Sequence, residues 1–174
     1  MLNGQNIYLR TIEPSDAAIM LQWENNPENW AVSNTLVPFS EHLILHYVNS
    51  AQDIFETKQL RFIICLKEND KPIGTIDLFE YDPLHRKAGV GVLIDEISER
   101  NNGYADEAVK LMIKYGFNRL DLHQFFCNIF ESNEHSIKLF EKNGFEKTGV
   151  KKDWVRIEGK WETEVFYQLI NKED

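Results

Sequence analysis

The chain has 174 residues, 28 Asp and Glu against 19 Lys and Arg, and a formal charge of −9. A hydrophobic share of 43% with 12% aromatic residues excludes a disordered or fibrous chain, and no apolar run approaches the roughly 18 residues of a membrane helix. An acidic protein repels phosphate backbones, so no nucleic-acid partner is expected, whereas a cationic ligand is attracted.

Residues 1–10 hold no basic segment followed by an apolar core, so secretion is not expected. Residues 6–12 read as a strand with Ile7, Leu9 and Thr11 on one face. Pro14-Ser15-Asp16 opens a helix whose apolar positions are Ala17, Ala18, Met20, Leu21 and Trp23. Asn25-Asn26-Pro27 ends it, because proline disfavours helix at the residue before it. Ser40 caps a second helix over 41–50, with Leu43, Ile44 and Tyr47 on one side. The first 60 residues carry Glu13, Asp16, Glu24, Glu28, Glu41, Asp53 and Glu56 against only Arg10 and Lys58.

Strand-like runs follow at 61–67, 73–80 and 86–94, parted by a turn at 68–71 and by Tyr81-Asp82-Pro83. A helix over 104–120 has Ala105, Ala108, Val109, Met112 and Gly116 at helical spacing. Asp106 and Glu107 occupy its first turn, where the helix dipole favours carboxylates. A strand at 124–130 and a helix at 133–142 come next, the helix capped by Asn133 and stopped by Asn143-Gly144. A hairpin of 145–157 and 160–170 around Glu158-Gly159 closes the chain. The order βααβββαβαββ predicts one α/β layer domain over residues 1–174, with a mixed sheet of about seven strands and four helices. Cys65 and Cys127 sit in apolar runs and cannot form a disulfide framework; a reducing cytoplasm suits them. No His/Cys cluster has ligand spacing, so no metal is expected.

Arg100-Asn101-Asn102-Gly103-Tyr104-Ala105 lies between a strand and an amphipathic helix. Small, flexible residues there leave backbone N–H groups free to point into one cup, with a helix dipole behind them. That arrangement suits a phosphate, and Arg100 adds a charged donor. A second segment, Asn133 to Phe145, follows a strand.

Together the two segments resemble the GNAT family of acyl-CoA-dependent N-acetyltransferases. The family loop Arg/Gln-x-x-Gly-x-Gly/Ala is matched from Arg100 to Ala105, and the second signature at Asn133, Ser136, Gly144 and Phe145. The element order agrees over nearly the whole chain. Leu9-Arg10, Trp23 and Asn26-Pro27 resemble the branch holding ribosomal-protein and spermidine acetyltransferases. The resemblance implies a mostly antiparallel twisted sheet with acetyl-CoA in a cleft splayed between 86–94 and 124–130. Backbone groups of Val92, Leu93 and Ile94 would pair with the pantetheine arm. Residues Arg100, Asn101, Asn102, Gly103, Tyr104 and Ala105 would cradle the pyrophosphate, and Asn133 would reach the cofactor from the other side. Family members often pair, so a homodimer is also admitted.

Acetyl transfer needs a neutral amine, a polarised carbonyl and help for the departing thiolate. Many family members use a tyrosine of the second signature as the proton donor; here that position is Phe140. Ser136, one helical turn earlier on the same face, is the local replacement, with a helix-surface serine as the plain alternative. Asp77 and Glu80 are the candidate bases, but a spacing of three turns them to opposite faces unless the strand bulges. Gly89, and Asn34-Thr35-Leu36-Val37 before Pro38, depart from the acids expected of the spermidine branch. Trp30, Trp154 and Trp161 are candidates to stack on an acceptor. The expected acceptor is a primary amine: a polyamine or diamine, a peptide N-terminus or an amino sugar. The competing reading is a non-catalytic acyl-CoA-binding module of the same fold.

Overall fold

The structure, a computed structural model, describes residues 1–33, 35–50, 53–157 and 159–173, without the side chains of 31–33. Asn34 of the segment before Pro38 and Glu158 of the hairpin turn lie outside the described residues.

Among the described residues, eight strands form one sheet in the order β1-β2-β3-β4-β5-β6-β8-β7. They are β1 (Leu2–Asn3), β2 (Ile7–Thr11), β3 (Leu60–Leu66), β4 (Pro72–Asp82), β5 (Lys87–Ile94), β6 (Gln124–Phe130), β7 (Glu146–Ile157) and β8 (Lys160–Ile170). Every neighbouring pair is antiparallel except β5 with β6. Those two run parallel because α5 (Tyr104–Arg119) carries the chain back between them.

Alternation divides the buried residues between the two faces. Ile7, Leu9, Phe62, Ile64, Ile76, Leu78, Val90, Cys127 and Val165 form the large core with Ala108, Val109 and Met112 of α5 and Phe140 of α6 (Glu134–Lys142). The intervening Ile63 and Cys65 meet a smaller core from α1 (Ala17–Glu24) and α3 (Glu41–Asn49), made of Met20, Trp23, Ile44 and Val48. Helices α5 and α6 thus cover one face. On the other, α1 and α3 pack over β2 and β3, and α1 and α2 (Pro27–Ser33) border a cavity over β3 to β5.

Two short helices escape the sequence reading. Pro27 does end α1, but it also starts α2 (Pro27–Ser33), since a proline at the first helical position loses no hydrogen bond. The Asn26 side chain accepts from Glu28 N at 3.1 Å there. Helix α4 (Ile54–Thr57) is a single turn that Asp53 caps by accepting from Phe55 N at 2.8 Å. The two-residue β1 is too short to leave a periodic signal.

Candidate active site

The site begins where the parallel pair opens. β5 and β6 pair only at Lys87↔Gln124, Ala88↔Phe125 and Gly89↔Phe126. Beyond Gly89, β5 continues to Ile94 with β4 alone as partner, and β6 continues to Phe130 with β8. The floor of the fork is aromatic. The Phe79 ring meets Phe126 edge-on at 5.7 Å, and Phe126 stacks on Phe166 at 5.6 Å. Gly89 is required beneath it, because an added Cβ would stand 2.2 Å from the Phe79 ring. The same contact leaves no room for an acidic side chain at that position.

A cavity of about 340 Å³ occupies the fork. Its lining mixes residues of both faces: Val90, Cys127 and Phe140 from the helix-covered side, Glu80, Asn128 and Glu164 from the open side. It is therefore a passage through the sheet. Ser136 and Asn133 stand on its α6 wall. Ser136 and Phe140 share that wall one turn apart, as the helical spacing predicts. Phe140 is instead packed edge-on against Phe145 at 5.0 Å. Burial pushes the Cys127 thiol up to about 12, so it stays a neutral wall group.

Glu80 reaches this passage through a bulge. The β4–β5 register shifts between Phe79 and Asp82, and Glu80 takes a φ of 49°. Ile76, Leu78 and Tyr81 consequently share the core face, leaving Asp77, Phe79 and Glu80 on the open one. The spacing of three that separates the two carboxylates on a regular strand is thereby overcome.

Asp77 nevertheless lies in a second cavity, about 360 Å³, between α1, α2 and the open face of β3–β5. It shares Phe79, Gly91 and Val92 with the passage. Arg61 donates from Nε to Asp77 Oδ1 at 2.5 Å and from Nη2 to Oδ2 at 3.2 Å, and its Nη1 donates to Glu24 at 2.5 Å. Burial pushes the Asp77 carboxyl up while Arg61 pulls against it. Both Asp77 oxygens are thus engaged by Arg61, whereas Glu80 has no such clamp among the described residues. The Arg61–Glu24 contact had no sequence signal beyond a cation opening an apolar run.

On the helix-covered side, α5 starts at Gly103, whose φ of 84° suits glycine, and no side chain caps its first turn. Asn101 is also left-handed, at 64°. Those amides face no intrahelical acceptor. Asp106 in the same turn is held by Lys110 at 2.8 Å, Lys142 at 2.9 Å and Asn143 at 2.8 Å. Burial raises its carboxyl, but these donors outweigh burial and bring it down to about 2. Arg100 departs from expectation: its Nε donates to Ile94 O at 2.9 Å and its Nη2 to Asp95 O at 3.3 Å. It ties the loop to the end of β5, and the Ile94 carbonyl is thereby occupied. Asn133 caps α6, accepting from Ser136 N at 3.1 Å, while still lining the passage. The residues fit a coenzyme A thioester: an unpaired strand edge at Val92 and Leu93, an uncapped helix start, and a passage to the open face.

Glu164 went unnoticed in the sequence. It is 8% exposed, lines the passage and accepts from Lys151 Nζ at 2.7 Å. Lys151 itself lies over the Trp154 ring. Trp154 and Trp161 are each 60% exposed, and Trp30 donates to Glu24 O at 3.0 Å; none of the three is among the residues lining either cavity.

A parallel strand pair forked beside an uncapped glycine helix start offers an extended arm a free strand edge and a diphosphate a set of free amides. The chain belongs to the acetyltransferase (GNAT) domain family, whose model matches residues 6–146. It is an acyl-CoA-dependent N-acetyltransferase with acetyl-CoA as co-substrate. Among similar proteins is "Probable N-acetyltransferase YjcK" of Bacillus subtilis, 27% identical over 100% of this chain and 99% of that one. The spermidine N(1)-acetyltransferase of Escherichia coli K12 is 25% identical over 86% of this chain and 77% of its own. A crystal structure of spermidine N-acetyltransferase from Vibrio cholerae in complex with CoA and spermine superposes with a TM-score of 0.86, at 21% identity over 96% of each chain. No helix among the described residues is long and apolar enough to cross a membrane.

Proposed function

We propose that the enzyme acetylates the primary amine of a small acceptor or peptide N-terminus by direct attack in a ternary complex, the thioester lying on the helix-covered side and the amine arriving from the open face. The passage through the fork carries this reading, because Ser136 and Glu80 both line it while belonging to opposite sides of the sheet. The spermidine acetyltransferases among the similar proteins support an amine acceptor. A homodimer belongs to the same reading, and light scattering on the pure protein checks it.

Acetyl-CoA supplies the thioester carbonyl that the amine attacks; the C–N bond forms and the C–S bond breaks. An alkylammonium with a pKa of about 10.4 must first be deprotonated, at roughly 4–5 kcal/mol at neutral pH. Glu80 receives that proton, directly or through water. Backbone N–H of β5 around Leu93 polarises the carbonyl. Val92 and Leu93 align the pantetheine arm along the free strand edge, and the backbone amides of residues 101–105 hold the diphosphate while the Arg100 side chain fixes the loop. The Ser136 hydroxyl hydrogen-bonds the departing sulfur and passes to it the second proton, which the nitrogen loses as the amide forms, so the hydroxyl is restored at the end of the step; Phe140 lacks a hydroxyl for this task.

The test mixes acetyl-CoA with spermidine, short peptides and amino sugars and follows free thiol. Thiol release that requires an amine is expected. Ser136→Ala lowers kcat by at least tenfold with the KM for acetyl-CoA within threefold, and Glu80→Gln lowers kcat by about 10²-fold or more. Unchanged turnover in both variants would dismiss the assignment.

A further inference from the structure

The cavity beside Asp77 holds hydrogen-bond donors that lack partners among the described residues. A guanidinium carries five N–H groups in a fixed fork. Arg61 uses three of them, two on Asp77 and one on Glu24. One N–H on each Nη therefore has no acceptor among the described residues, while Arg61 lies in the cavity wall. The guanidinium is otherwise fixed, with its face 5.7 Å from the Tyr47 ring centre. A second observation points the same way. Trp23, 3% exposed and part of the same wall, has a buried indole N–H with no partner among the described residues. Buried donors without acceptors are uncommon because each forfeits a hydrogen bond made in water.

The carboxylates of this cavity are correspondingly engaged. Glu24 and Asp77 share Arg61, so the three side chains sum to a single negative charge. An acceptor made only of ammonium groups and methylenes leaves the remaining Arg61 N–H groups unmatched. A carbonyl oxygen supplies what is missing.

We propose that Arg61 is a specificity-determining residue whose two remaining N–H groups receive the carbonyl oxygen of an α-aminoacyl acceptor, the first residue of a peptide or an amino-acid amide. This deepens the reading of the site given above and rests on it. The α-amine then lies one carbon from the bound carbonyl, directed over Gly91, where the cavity joins the passage. Glu24, with one carboxylate oxygen beyond the Arg61 contact, is placed to meet the ammonium before deprotonation.

The experiment compares alaninamide, sec-butylamine and spermidine as acceptors, with kcat/KM expressed per neutral amine so that their different basicities cancel. Alaninamide is expected to be preferred at least tenfold over both others. Arg61→Lys keeps the charge but loses the fork, and the preference should shrink to within threefold. Trp23→Phe, monitored by its melting temperature, is a second variant in which the preference should narrow. Equal or faster transfer to spermidine or sec-butylamine in the unmodified enzyme overturns the oxygen recognition and leaves the amine acetyltransferase reading intact. Transfer to none of the three overturns that reading itself.

Discussion

Gly91 is the point at which the proposed reaction is most easily blocked without harming the fold. It stands opposite Asp77 in the β4–β5 register and borders both cavities. A Cβ added there meets only Phe79 Cε1, at 3.8 Å, an ordinary contact. Valine is at home in a strand, and replacing a mid-strand glycine should stabilise the protein by about 0.5–1 kcal/mol. At this chain length that raises the melting temperature by roughly 1–4 °C. The two γ-methyl groups, however, project into the space where amine and thioester must meet. A displacement of about 1 Å between reacting groups costs about 10²-fold in rate, equivalent to about 2.7 kcal/mol of transition-state stabilisation. Gly91→Val should therefore melt no lower than the unmodified protein and still be stabilised by acetyl-CoA, yet lose about 10²-fold in kcat/KM for the amine. Thermal melts with and without acetyl-CoA, beside a thiol-release assay, read both quantities. Full activity in Gly91→Val would show that the reacting groups do not meet beside that residue.

Gly103→Glu places a carboxylate, and a side chain in a left-handed backbone, at the start of α5. It should lose the stabilisation by acetyl-CoA, about 2.7 kcal/mol at a hundredfold excess over Kd for the unmodified protein; an undiminished shift would contradict the loop assignment. Asp106→Asn tests the α5–α6 junction through pH. Because folding depresses this carboxyl from 3.8 to about 2, its contribution, about 2 kcal/mol, is present above pH 4 and is lost as pH falls through 2. In urea unfolding the variant should be less stable by about that amount at pH 7, the gap closing between pH 4 and 2; a gap independent of pH would refute the assignment.

Much of this molecule is legible in local patterns. The alternation of 73–80 identifies a strand, and the 104–120 spacing identifies α5 to within a residue or two. Ser136 and Phe140 share a wall because residues four apart on a helix must. Gly103 heads its helix with the positive φ that makes glycine useful there. Local patterns stop short where a single residue breaks the period. Glu80 changes face because one left-handed residue in β4 restarts the alternation, which no count along the sequence reveals. Residue type suits Arg100 to a phosphate, and only the fold shows that its side chain also holds the carbonyls of Ile94 and Asp95.

Element order, the glycine helix start and the loss of the usual tyrosine were determined by the sequence alone, since each depends on neighbours within a turn or a strand. Pairing was decided only in three dimensions. Glu24 meets Arg61 across 37 positions, Arg61 meets Asp77 across 16, and Lys151 meets Glu164 across the last hairpin. Such contacts follow from strand register and from where α1 settles on the sheet. Which carboxylate is clamped by a cation is therefore a property of the packed sheet, because only packing fixes the distance from each oxygen to the cation that claims it.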